Sequence, residues 1–191
     1  MGIDYKNFRE YYKAHPEHAE MYSMWFSGQY WLKLWEFLNT SDFFIAPAST
    51  RFHGATKHGL AEHSFYVAKG LQYLTDRLGL EWADEDSPIL IGALHDLCKV
   101  NNYDWDEESK VYRYKPNVEE GHGSRSVKIL KDLGVKLSLE EETCIAYHMG
   151  TWTNDIDPAI GDITYTGAVQ KYPNVLWTHT IDMYVSQVLK I

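Results

Sequence analysis

The sequence predicts an all-α domain, a helical bundle interrupted by one short β-hairpin. Three observations carry that expectation. Apolar residues recur at helical spacing through most of the 191 positions. Strand-like signals are confined to "NYDW" and "KVYRY", on either side of the acidic turn "DEES". No repeat, low-complexity tract or Gly/Ser/Pro-rich linker divides the chain, whose length suits one sizeable core.

The elements follow in order. Pro16 to Leu38 carries Met21, Met24, Trp25, Trp31, Leu34, Trp35 and Leu38 at helical spacing, with a break expected at Gly28. Residues 1–46 are expected to form an N-terminal helical extension packed on a domain spanning 47–191. From Leu60 to Leu78, the apolar residues Leu60, Val67, Leu71, Leu74 and Leu78 share one helical face with His63. Ser87 and Pro88 read as the N-cap and first turn of a helix running to about Lys99. After the hairpin, helices are expected over Glu120–Leu133 and Ser138–His148, the second opened by a capping box of Ser138 and Glu141. Residues 149–168, rich in Gly, Thr and Asp, read as a loop over one end of the bundle, before a last helix from Pro173 to Leu189.

Composition narrows the partners. With 18 basic and 27 acidic side chains the formal net charge is −9, which disfavours long polyanions such as duplex DNA. No run of about 18 apolar residues exists to span a membrane, and no signal-peptide core is seen. Position 6 is Lys, so the myristoylation pattern is not met. Cys98 and Cys144 form no CxxC pair. The expectation is a cytoplasmic protein without a membrane partner.

"ALHDLCKV", residues 93–100, sets His95 and Asp96 side by side in an apolar stretch. A buried charge costs several kcal/mol unless it is paired or bound to a metal. The pair is therefore either a core histidine capped by an aspartate or two metal ligands. Six residues on five segments stand out: His63, His95, Asp96, His122, His148 and Asp182. Their separations of 32, 1, 26, 26 and 34 residues are each about one helix plus one connection, except within the dyad. In a bundle such spacing returns successive helices to one level. Imidazole with carboxylate suits Mn, Fe, Co, Ni or Zn better than Mg or Ca alone.

The segments "RFHGATKHGLAEHSFYVAKGL", "IGALHDLCKV", "EGHGSRS", "IAYHMG" and "IDMYV", in that order, resemble the HD superfamily of metal-dependent phosphohydrolases, from about Pro47 to Ile191. The resemblance implies that His63, His95, Asp96 and Asp182 are metal ligands. It adds His122 and His148 as the extra ligands of dinuclear members, and so implies two divalent transition-metal ions with Asp96 between them. It also implies hydrolysis of a nucleotide or other small phosphate ester or phosphodiester by a metal-bound hydroxide. Asp96 and Lys99 are the expected catalytic residues, because HDxxK resembles the hydrolytic branch, where the lysine meets a phosphate oxygen. Many relatives have glycine where this chain has Cys98.

Arg125, three residues from His122, is expected either at a phosphate or in a surface ion pair. Arg51, His53, Lys57 and His58 gather in eight residues, and in similar enzymes the corresponding stretch borders the pocket. They are expected to bind substrate phosphate, with one histidine as acid to the leaving group, unless the stretch is a solvated loop. His179 shares a helical face with Asp182 and is expected to line the pocket or support the ligands; His15 and His18 are expected in solvent. Tyr103, Trp105, Tyr147 and Trp152 weigh as core residues rather than base-stacking ones.

Three rivals remain open: an HD-type di-iron oxygenase using the same ligands, a 3′–5′ exonuclease on short oligonucleotides, and a non-catalytic nucleotide sensor. Lys99 and its basic neighbours favour hydrolysis. The few cations near the site favour a small phosphate-containing substrate over a long nucleic acid.

Overall fold

The apolar face read from Leu60 to Leu78 forms α4 (Gly59–Leu78), with Leu60, Ala61, Phe65, Val67, Ala68 and Leu71 buried. In the computed structural model, which describes residues 5–116, 122–152 and 163–191, α4 packs most closely on α5 (Ser87–Leu94). Every residue of α5 except Ile89 is buried, as expected of a helix that is apolar all round. Gly92 permits the contact. A Cβ there would sit 2.3 Å from Ala68 Cα and 2.5 Å from Ala68 N, a backbone that cannot turn aside. Gly92→Ala is therefore expected to destabilise the protein by about 1–3 kcal/mol, at the upper end of that range. Because His63 lies on α4 and His95 directly follows α5, metal binding should weaken with it. Unchanged denaturant midpoint and metal affinity would show that the two helices separate without penalty.

The N-terminal residues form α1 (Lys6–Ala14), α2 (Pro16–Phe26) and α3 (Leu32–Thr40), with Pro16 at the first turn of α2. The break expected near Gly28 is present, as Ser27, Gly28 and a 3-10 turn over Gln29–Trp31. Tyr11, Tyr22, Phe26, Phe43 and Phe44 are fully buried together, and the Tyr22 hydroxyl donates to Ala61 O at 2.8 Å. One continuous core thus joins α1–α3 to α4. His15 and His18 differ from expectation. Both are half-buried, and the His18 ring stacks on Phe65 with centroids 3.9 Å apart. The aromatic density of this interface recruits imidazole faces that hydropathy alone assigns to water.

The hairpin pairs β1 (Tyr103–Asp106) with β2 (Val111–Tyr114), antiparallel, with Tyr103 opposite Tyr114. Then follow α6 (Gly123–Asp132) and α7 (Leu139–Ala146). The expected start of α6 at Glu120 lies outside the described residues. Both halves of the Ser138–Glu141 capping box are made, and Glu141 also accepts a 2.8 Å hydrogen bond from Ser87 Oγ, fastening α7 to α5. Helix α8 (Tyr165–Lys171) begins inside the expected loop, capped by Thr164 Oγ1 on Gly167 N; residues 153–162 of that loop are not described. Helix α9 (Asn174–Met183) continues into a π-helical turn, Tyr184–Leu189. Among the described residues no helix is long and apolar enough to cross a membrane.

One boundary matters for the site. The helix expected from Ser87 to Lys99 stops at Leu94, and Asp86 rather than Ser87 is its N-cap. Asp96 leaves helical geometry at φ −101°, ψ 18°, and Lys99 N donates to Asp96 O at 2.9 Å in a 3-10 turn over Leu97–Lys99. The dyad therefore lies at a helix end, where backbone and side chains can face one point from a tight turn.

Candidate metal centre

His95 and His148 stand just beyond the C-termini of α5 and α7, where the last carbonyls lack intrahelical partners. Each ring answers its own helix: His95 Nδ1 lies 2.9 Å from Gly92 O, and His148 Nδ1 lies 2.7 Å from Ile145 O. His63, in the second turn of α4, has Nδ1 3.0 Å from Ile191 O. A neutral imidazole donating through Nδ1 leaves a lone pair on Nε2. Three carbonyls thus set three tautomers and aim three Nε2 atoms inward.

They converge on two carboxylates. His63 Nε2 is 3.1 Å from Asp182 Oδ1 and 3.7 Å from Asp96 Oδ2. His95 Nε2 is 3.4 Å from Asp96 Oδ2 and 3.8 Å from Asp182 Oδ1, and His148 Nε2 is 3.5 Å from Asp96 Oδ1. All five side chains are buried. The Nε2 atoms of His63, His95 and His148, and Asp96 Oδ1, make no hydrogen bond. Buried polar atoms left without partners cost about 1–3 kcal/mol each, so four at one point ask for a shared partner. Divalent ions would satisfy these atoms, and the donor set suits them. His63, His95 and Asp182 form one candidate ligand group, His95, Asp96 and His148 a second, and Asp96, Cys98 and His122 a third. Asp96 belongs to two of the three.

Charge keeps the carboxylates ready. Burial alone would raise the Asp96 pKa, but the Lys99 ammonium at 2.6 Å and the imidazoles around it hold Asp96 well below the usual carboxylate range. Burial likewise opposes ionisation of Asp182, and the imidazoles of His63 and His95 close to it outweigh that effect. For Lys99 burial works against the ammonium, and Asp96 more than compensates, raising its pKa. The pair stays ionised.

The structure distributes the remaining expected residues unevenly. His53 comes to the centre: its ring lies 4.8 Å from that of His63, and neither ring nitrogen has a partner. Burial, with Lys99 next, pushes its pKa down to about 4, so at neutral pH it is a neutral hydrogen-bonding group and not a proton-charged acid. His58 turns elsewhere. It takes a left-handed backbone at φ 73°, with Nδ1 2.7 Å from Phe44 O and its ring against Tyr11 and His15. Lys57 pairs with Glu10 of α1. Arg51 is exposed, its guanidinium 5.9 Å from the Phe52 ring centre. Arg125 donates to Cys98 O, and to Asn102 Oδ1 at 2.7 Å, fastening the turn that follows Asp96.

His122 is exposed at the start of α6, its ring 6.2 Å from that of His148 and its Nδ1 3.2 Å from Cys98 Sγ. His179 supports a different neighbour from Asp182: its Nδ1 lies 2.7 Å from His148 O. Sequence reasoning passed over Cys98, whose signal was its place two residues after Asp96 in the dyad segment. Tyr147 is buried with its hydroxyl donating to Ile163 O at 2.5 Å, whereas Trp152 is exposed.

A family model described as HD domain matches residues 60–176, more than half of the chain and a span that contains His63, His95, Asp96, His122 and His148. No curated protein matches the chain, and no solved structure does.

Proposed function

The chain belongs to the HD-domain family, a superfamily of metal-dependent hydrolases, and from that premise we propose that it is a phosphohydrolase acting on a nucleotide or other small phosphate ester or phosphodiester. The observation that carries the reading is the convergence of three buried, unpartnered Nε2 atoms on Asp96 and Asp182. Divalent transition-metal ions held by His63, His95, Asp96, His148 and Asp182, and on the open side by His122, would supply activated water and offset phosphoryl charge.

The chain's own side chains do the rest. Lys99 holds Asp96 Oδ2 and places a permanent buried cation beside the ligands, where a phosphate oxygen would meet it as a point charge. His53 offers a ring N–H or lone pair next to His63. Arg51, exposed and two residues before His53, is a candidate for the rim. Lys57 and His58 serve other contacts in this reading, with Glu10 for the first and Phe44 and Tyr11 for the second. That leaves few cations to follow a polyanion, and the protein carries −9 overall.

The test is metal analysis of the purified protein, followed by phosphate release across mononucleotides, short phosphodiesters and long single strands. The expected result is hydrolysis that requires a divalent ion, prefers the short substrates, and changes little between low and physiological salt. Lys99→Met should lower it by about 10²–10³-fold, the scale for losing one charge-stabilising donor. Steady degradation of a long strand with steep inhibition by salt would replace this reading with the exonuclease. An iron-loaded, coloured sample that consumes O₂ without releasing phosphate would replace it with the oxygenase, and nucleotide binding without turnover with the sensor.

A further inference from the structure

We propose that Cys98 is a ligand of the second ion, so that this position is built from one sulfur, the His122 imidazole and the Asp96 carboxylate. The inference rests on the metal reading above and goes beyond it in assigning a thiolate to the site.

Geometry is the first support. Cys98 Sγ and His122 Nδ1 are 3.2 Å apart, and one ligand atom from each of Asp96, Cys98 and His122 lies within 4.8 Å of the others. A tetrahedral zinc with bonds of about 2.3 Å to sulfur and 2.0–2.1 Å to nitrogen has a sulfur–nitrogen edge of about 3.6 Å. The observed pair needs only a small opening to accept the ion. The second support is independent of the cysteine. Asp96 is buried with Oδ1 making no hydrogen bond, and a carboxylate oxygen of the same side chain lies within 4.8 Å of the Cys98 sulfur and the His122 ring nitrogen.

The fold also fixes the sulfur in place. Cys98 N donates to Ser126 Oγ at 3.0 Å, while Cys98 O accepts from Asn102 Nδ2 at 2.8 Å and from the Arg125 guanidinium. Three anchors on the backbone of one residue are more than a space-filling thiol requires. Cys144, by comparison, is an ordinary buried thiol within α7.

Coordination needs no oxidant. The S–H bond breaks, its proton leaves to solvent, and the sulfur's electron pair forms the bond to the ion. Sulfur in the ligand set shifts preference towards zinc or another borderline-soft ion and away from Mn or Mg. His122 is exposed whereas the other imidazoles are buried, so this second ion faces solvent and would exchange more readily than the first.

X-ray absorption of the zinc-loaded protein tests the assignment, with one sulfur per two zinc ions expected at about 2.3 Å. The cobalt-loaded protein should show a sulfur-to-cobalt charge-transfer band in the near ultraviolet. Cys98→Ser should lose both signatures, keep the first ion and bind the second at least ~10-fold more weakly, no less than the loss of an outer-shell partner. Cys144→Ser should keep both. If Cys98→Ser fails to fold, the wild-type absorption spectrum decides. Bound ions without sulfur, or a sulfur signature that survives Cys98→Ser, overturns the ligand assignment and leaves the hydrolase reading standing. A protein that binds no ion overturns both.

Discussion

Asp96→Ala is expected to empty the metal centre and, separately, to destabilise the ion-free protein by about 3–5 kcal/mol. The two effects have different causes. Asp96 supplies a ligand atom to two of the three candidate groups and lies between the His95–His148 and Cys98–His122 positions, so its loss removes what they share. It is also the partner of Lys99, whose ammonium is 2.6 Å away and only 7% exposed. Removing the carboxylate leaves a buried cation among imidazoles, with Asp182 as the remaining carboxylate acting on it and no partner in hydrogen-bond contact. Metal analysis reads the first effect, and denaturant unfolding in chelator reads the second. A double variant, Asp96→Ala with Lys99→Met, separates them. Stability should return to within about 1–2 kcal/mol of wild type, since removing both ions of a buried pair is often near neutral, while metal binding stays lost. No recovery in the double variant would mean that Asp96 stabilises the fold through packing rather than through Lys99.

That pair also shows where the sequence was legible and where it was not. His63, His95, Asp96, His148 and Asp182 were readable because each marks a helix or a helix end, and bundle helices return to one level at regular intervals. The end of α5 was not readable. From Pro88 to Leu94 the chain is apolar without a break, so periodicity gives no stop, and Asp96 and Lys99 close on each other in the turn that follows. Helix α8 was hidden for the opposite reason: only Ala168 of its seven residues is buried, which leaves no stripe to read. Lys57 and His58 were placed at the site by their nearness in sequence to His63, and their structural partners could not be read locally. Their partner Glu10 lies 47 residues upstream of Lys57, and Phe44 lies 14 residues before His58; no local pattern announces either. Cys98 was missed because an isolated cysteine in an apolar run reads as core until an imidazole is found beside it.

Saturation with a divalent ion is expected to stabilise the protein, and the gain should depend on pH in a set direction. At about a hundred times its dissociation constant one ion adds about 2.7 kcal/mol, which for a domain of this size raises the melting midpoint by roughly 5–11 °C. Imidazole and thiolate ligands bind only when deprotonated, so the difference between ion-loaded and ion-free midpoints should shrink as pH is lowered. Asp96 and Asp182 do not produce that loss. Their folded pKa values are depressed, so their contribution is present above the unfolded carboxylate value of about 3.9 and is lost only as pH falls through the lower folded values. His53 acts on both forms. With a folded pKa of about 4 against an unfolded value near 6.5, the unfolded chain takes the proton first, and stability falls as pH drops between those two values. Comparing loaded and ion-free protein at each pH largely removes this shared slope. Thermal melts from pH 8 to 5, with zinc or with chelator, measure the remainder. Midpoints that coincide at pH 8 would show that the unpartnered Nε2 atoms hold no ion, and a gap that widens towards pH 5 would show that imidazole is not what holds it.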